Sequence, residues 1–212
     1  SLADGYSQGE GVAFMEQAAK ALADPLVSTD WSGPTREFLA ASGALSMTFV
    51  LALLFIYLLL SAQFESFKHP VVILFTVPLA MLGAVLALRL TGGSLNVYSQ
   101  IGLITLVGLI TKHGILIVEF ANQLRDQGVA PTKAVMDAAV QRLRPVLMTT
   151  ATMVLGALPL AFATGAGAEA RHPIGWVIVG GMSLGTLFTL FVVPAVYLLV
   201  SARGASGELR GA

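Results

Sequence analysis

The sequence predicts an all-α membrane protein, with five bilayer-spanning helices preceded by a short extramembrane α/β piece. Apolar residues make up 56% of the chain and charged residues 11%, against about 45–50% and about 25% in an ordinary soluble chain. Five long stretches are nearly free of charge, at 39–62, 71–90, 97–124, 145–164 and 173–201. A helix needs about 20 apolar residues to cross a hydrocarbon core of about 30 Å, and the second stretch is the shortest of the five. Alternating strands of about ten residues, the mark of a membrane barrel, are missing from the pattern, so helices are the spanning form.

The elements follow in order. Ser7 and Glu10 make a Ser-x-x-Glu capping box at a helix start. That helix should run over about 8–23, with Met15, Ala18, Ala19 and Leu22 on one face, until Pro25 stops it. Residues 27–31 read as a strand and Ser32-Gly33-Pro34 as a turn. One helix and one strand cannot bury a core alone, so residues 1–33 read as the end of a larger extramembrane domain. The chain starts at Ser1 without a basic segment leading into a short apolar one. This argues against an intact signal peptide and reads as the cut end of a longer protein. Residues 34–202 form the membrane bundle and 203–212 a polar tail. Between the third and fourth spans, Pro131 suits a first helical turn. Val135, Ala138, Ala139 and Leu143 then give an amphipathic surface helix over 131–144, leading into the fourth span at Pro145.

Charge bounds function and orientation. A formal net charge of zero leaves no basic footprint for nucleic acid, and the absence of cysteine removes disulfides, thiolate metal sites and thiol nucleophiles. Lys68, Arg125, Lys133, Arg142, Arg144, Arg203 and Arg210 fall on one side of the membrane, and Arg36, Arg89 and Arg171 on the other. The richer side is expected to be cytoplasmic, with the N-terminal segment outside and the C-terminus inside.

Lys112 is the sharpest chemical signal. The third span is about 28 residues, or roughly 42 Å of helix, and Lys112 lies just past its middle. A lysine there costs about 2.5–3.5 kcal/mol on insertion scales, which implies a partner or a wet cavity. An interhelical salt bridge without a transport role would satisfy the same requirement. Thr105, Gly108, Lys112 and Glu119 are spaced by three, four and seven, on one helix face. Glu119 is about 10 Å along the axis from Lys112, too far to pair with it within the helix, and suits the headgroup level. The fourth span carries a matching stripe of Arg142, Thr149, Thr152 and Gly156. A threonine facing Lys112 could hold a relay water or the ammonium, or simply bond between helices. By pattern alone, Arg142 and Arg144 are positive-inside anchors.

Other motifs are decoys. Gly181-Met182-Ser183-Leu184-Gly185 matches a hydrolase elbow, which needs a strand–turn–helix. Within an apolar helix, Gly181 and Gly185 fit the Gly-x-x-x-Gly packing motif instead. Gly165-Ala166-Gly167 lacks the strand of a dinucleotide site. His113 and His172 have no ligand partners at metal spacing, and the seven methionines form no paired ladder for copper or silver. No metal, cofactor or catalytic residue is expected.

Residues Gly108 to Ala121, reading GLITKHGILIVEFA, resemble the signature of resistance–nodulation–division efflux pumps. So does Arg142 to Thr150, RLRPVLMTT, along with Gln63-Phe64-Glu65-Ser66, Thr164-Gly165-Ala166-Gly167 and Pro194. The resemblance covers about residues 5–202. It implies the C-terminal part of an AcrB-like pump of the bacterial inner membrane, with the last five of twelve spans and the end of a periplasmic porter/docking region. In such pumps a lysine pairs with two aspartates of another span, and a threonine and an arginine join the proton relay. These match Lys112, Thr149 and Arg142. Thr105, Thr152 and Glu119 are possible accessory members; Gly108, Gly156, Gly181 and Gly185 are expected to pack helices. His113 departs from the asparagine of many members.

The implied function is proton/substrate antiport exporting hydrophobic or amphiphilic compounds such as drugs. The implied partners are protons, lipid, the half of the pump holding the aspartates, and a homotrimer with a periplasmic adaptor and an outer-membrane channel. Alternatives are another subunit of the superfamily, of heavy-metal, protein-export or sterol-sensing type, and a passive structural bundle.

Overall fold

The computed structural model describes residues 8–21, 30–165 and 167–208. The described secondary structure is helical throughout: α1 Gln8–Ala21, α2 Pro34–Gln63, α3 Lys68–Leu74, α4 Thr76–Leu90, α5 Val97–Asp126, α6 Pro131–Ala161 and α7 Ala168–Glu208. Five spans are long and apolar enough to cross a bilayer: Ala44–Gln63, Lys68–Leu90, Val97–Asp126, Pro131–Ala161 and Ala170–Leu199. α1 corresponds to the expected first helix, whose capping Ser7 lies outside the described residues. The expected strand falls mostly outside them as well. Its described members, Asp30 and Trp31, have irregular backbone, in which the Trp31 N–H donates to the Asp30 carboxylate at 2.8 Å.

Local chemistry explains most helix boundaries. Gly33 adopts φ +63° before Pro34 at the first helical position of α2, a left-handed conformation that glycine reaches without penalty. Asn96 caps α5 reciprocally: the Ser99 N–H donates to Asn96 Oδ1 at 2.8 Å, and the Asn96 N–H donates to Ser99 Oγ at 2.7 Å. The second span is broken at Phe75 into α3 and α4. Pro78 has no N–H for the Leu74 carbonyl, and its ring crowds that carbonyl.

At Pro145 the outcome differs from the sequence expectation. The surface helix and the fourth span are one continuous helix, α6, with Pro145 and Pro159 inside it. Each interior proline removes a single ladder bond, and neighbouring helices and hydroxyls allow membrane helices to absorb that loss.

α7 is the hub, packing against α3, α4, α5 and α6. Small residues make this possible. A Cβ at Gly83 of α4 would lie 2.8 Å from the Gly180 carbonyl oxygen, and one at Gly185 would lie 2.8 Å from the Ala80 Cβ. A Cβ at Gly180 would meet Ala87, one at Gly181 would meet Leu106 of α5, and one at Gly175 would meet the Ala161 backbone of α6. The Gly181–Gly185 motif thus lies mid-helix on a packed seam, as close helix approach in a bilayer requires. Two apolar clusters flank the seam. One gathers Leu60, Ile73, Ile117, Val135 and Tyr197, the other Ala80, Ala84, Leu106, Ile110 and Met182.

A polar knot closes one end of the first cluster. Arg125 Nη1 donates to the Tyr197 hydroxyl at 3.1 Å, which donates to Asn122 Oδ1 at 2.7 Å. Asn122 Nδ2 donates to His69 Nδ1 at 3.2 Å, and the His69 ring stacks on Tyr197 with centroids 5.8 Å apart. The knot ties α3, α5 and α7 together without an ion pair.

Two stability outcomes follow. Gly180→Val forces side-chain atoms into backbone and should cost about 1–3 kcal/mol, seen as a lower melting temperature in detergent, whereas Gly108→Ala should melt as the parent does. Tyr197→Phe keeps the ring but strands the Arg125 donor and the Asn122 acceptor. A loss of about 1–3 kcal/mol is expected in the same assay.

Candidate functional site

The site is built on faces of α5 and α6 that the other described residues leave uncovered. Along α5, Thr105, Gly108, Lys112 and Glu119 are all exposed, while Leu106, Ile110, His113, Ile117 and Val118 on the opposite side are buried. The helical period therefore places the whole stripe outward. Among the described residues no hydrogen bond or ion pair reaches the Lys112 ammonium. The Thr105 hydroxyl turns back to the Ile101 carbonyl at 3.0 Å.

α6 supplies the adjoining wall. Met148, Thr149, Thr152 and Met153 line an open hollow. The Thr152 hydroxyl donates to the Met148 carbonyl at 2.9 Å, so its hydrogen is spent within its own helix. Gly108 and Gly156, expected to pack helices, instead face open space: a Cβ at either would meet nothing within 4 Å. Packing within the described chain is confined to the Gly181 and Gly185 side.

Arg142 and Thr149 both turn toward α5, as one heptad of separation requires. The Arg142 guanidinium lies over the Phe120 ring at 4.5 Å from its centroid, a favourable cation–π arrangement. Its Nε is buried and has no hydrogen-bond partner among the described residues.

Thr149 does meet the lysine-bearing part of α5, through the residue next to the lysine. Its Oγ1 lies 3.3 Å from His113 Nε2 and also donates back to the Val146 or Pro145 carbonyl, at 2.9 and 3.0 Å. His113 is 0% exposed. Its other ring nitrogen, Nδ1, lies 3.3 Å from Thr186 Oγ1 of α7, and Thr186 Oγ1 lies 3.0 Å from Thr150 Oγ1 of α6. Sequence reasoning set His113 aside for want of metal spacing. The available signal was its depth in an apolar helix, the same signal that singled out Lys112. His172, also set aside, accepts a hydrogen bond from Trp176 Nε1 at 3.3 Å.

The arrangement is a set of donors and acceptors at membrane depth, with one cation presented on an open face. The described residues gather no group of three His, Asp or Glu side chains that could hold a metal. The chain matches the model of the AcrB/AcrD/AcrF family over residues 1–201. It is 48% identical over 206 residues to an uncharacterized transporter of Haemophilus influenzae, an alignment covering 94% of this chain and 20% of that protein. The chain thus spans about a fifth of the length of that curated relative. With five helices long and apolar enough to cross a membrane and this match over nearly its whole length, the chain belongs to the AcrB/AcrD/AcrF family.

Proposed function

We propose that this chain is the lysine-bearing part of a proton-driven exporter of hydrophobic or amphiphilic compounds, with Lys112, Thr149 and Arg142 in its proton relay. The observation that carries the reading is Lys112, exposed at membrane depth one helical turn from the open position Gly108. A cation on a bare face within a bilayer requires a counter-charge. Gly108 on α5 and Gly156 on α6, both facing open space, leave room for another helix to approach closely. That helix, from a segment outside this chain, would bring the aspartate pair that the family resemblance implies.

The coupling follows from charge. With the aspartates ionised, Lys112 is held toward them. Protonating them removes that attraction and releases the ammonium toward Thr149. A unit charge pair at 4 Å is worth about 4 kcal/mol at an effective dielectric constant of about 20. This approaches the roughly 5.5 kcal/mol that carries a two-state element from about 1:99 to 99:1. Repacking of α5 against α6 would then reach the extramembrane domain that precedes α2.

In this reading residues 1–33 end a periplasmic porter/docking domain, 34–202 are the membrane bundle and 203–212 are a cytoplasmic tail. The positive-inside count supports that orientation in a bacterial inner membrane. A homotrimer joined to a periplasmic adaptor and an outer-membrane channel is the assembly that family membership supports.

Lys112→Ala, in a full-length transporter carrying this segment, should abolish export driven by a pH gradient while the amount of protein in the membrane stays unchanged. Transport assays in everted vesicles measure this directly, and near-normal export by that variant would sink the proposal.

A further inference from the structure

We infer that His113 is a positioning residue for the Lys112–Thr149 step: it holds the Thr149 hydroxyl facing α5 and ties it to α7 through Thr186. The inference rests on the proton-coupled reading above and adds to it a residue and a third helix.

The Thr149 hydroxyl lies 2.9 and 3.0 Å from the Val146 and Pro145 carbonyls and 3.3 Å from His113 Nε2. On the other side of the ring, Nδ1 lies 3.3 Å from the Thr186 hydroxyl, which lies 3.0 Å from the Thr150 hydroxyl. The Thr150 hydroxyl in turn lies 2.9 Å from the Val146 carbonyl. A neutral imidazole has one N–H and one acceptor nitrogen, and each hydroxyl has one hydrogen and two lone pairs, so the chain from Thr149 through the ring and Thr186 to Thr150 closes in either direction. Both ring nitrogens have a hydroxyl partner, as a side chain 0% exposed, like that of His113, requires.

The consequence for Lys112 is specific. A helical threonine divides between two χ1 rotamers, and the bond to the ring favours the one that turns the Thr149 hydroxyl toward α5. That oxygen has two lone pairs. The ring takes at most one of them; another is left for a group that can only donate, which describes an ammonium. Lys112 is the next residue in the chain to His113. A shift of α5 that carries the lysine also carries the ring, which pulls on α6 through Thr149 and on α7 through Thr186.

The test compares His113→Leu, His113→Gln, Thr186→Val and Lys112→Ala in a full-length transporter carrying this segment, reconstituted in liposomes at matched protein amount. The maximal rate and half-saturation of export driven by a pH gradient are measured. His113→Leu should lower the maximal rate about tenfold, the scale of one hydrogen bond, with half-saturation unchanged. His113→Gln, whose amide can still donate to Thr149 or accept from it, should recover most of that rate. Thr186→Val should slow export on its own and add nothing in the His113→Leu background.

Full export by His113→Leu, equal slowing by Leu and Gln, or additive losses would each overturn the inference. Should His113→Leu fail to accumulate, Thr186→Val decides, and an unchanged rate in it is equally fatal. Lys112→Ala separates the two levels. If it exports normally, the proton-coupled reading fails. If it is inactive while His113→Leu is normal, only the role of His113 fails.

Discussion

The close approach of α7 to its neighbours is the constraint on which the rest of this structure depends. In a bilayer no hydrophobic force draws helices together, so contact must come from packing and hydrogen bonds. Gly83, Gly180, Gly181 and Gly185 remove the side chains that would hold α4 and α5 away from α7. Once α7 is embedded among α3, α4, α5 and α6, the orientation of α5 is decided. Leu106, Ile110 and Ile117 point inward, and a residue two positions from Ile110 must point elsewhere. Lys112 is exposed because the glycine seam has taken the opposite face.

The same packing brings three hydroxyls and one imidazole to a single height. Thr149 and Thr186 meet His113 at hydrogen-bond distance, and Thr150 meets Thr186. Buried polar groups of this kind rigidify when every member is paired. The fixed network and the unpaired cation are adjacent in the chain. One side of α5 is locked to α6 and α7, while the other carries a charge with no partner among the described residues. This asymmetry suits a part that moves as a unit when an external charge changes.

Much of this was legible in the sequence, because the bilayer imposes a coarse rule. Length and apolarity locate the five spans, and one proline accounts for the break at Phe75 once its missing N–H is considered. Pro145 was misread as a helix start because a proline suits a first turn as well as a tolerated interior site, and local sequence does not separate the two. Lys112 was legible because charge at membrane depth is rare. The shared stripe of Arg142 and Thr149 put both on one face of α6, and the structure turns that face toward α5. His113 as the direct partner of Thr149 was not legible, since which residue of a turn meets a neighbouring helix depends on rotation about both axes. Thr150 and Thr186 were silent for a related reason: threonine in an apolar helix usually bonds its own backbone, as Thr111 and Thr189 do here. Gly108 and Gly156 looked like packing glycines, yet among the described residues nothing lies against either.

Cysteine cross-linking probes this open face of α5 and α6. Cysteines placed at Gly108 or Gly156 of a full-length transporter carrying this segment would be paired with cysteines scanned along its other apolar spans. Efficient cross-linking is expected to a span that carries acidic residues at the level of Lys112, and none from a cysteine at Gly181. Positions 108 and 156 that cross-link to no span, and react freely with a lipid-soluble thiol reagent, would contradict that expectation.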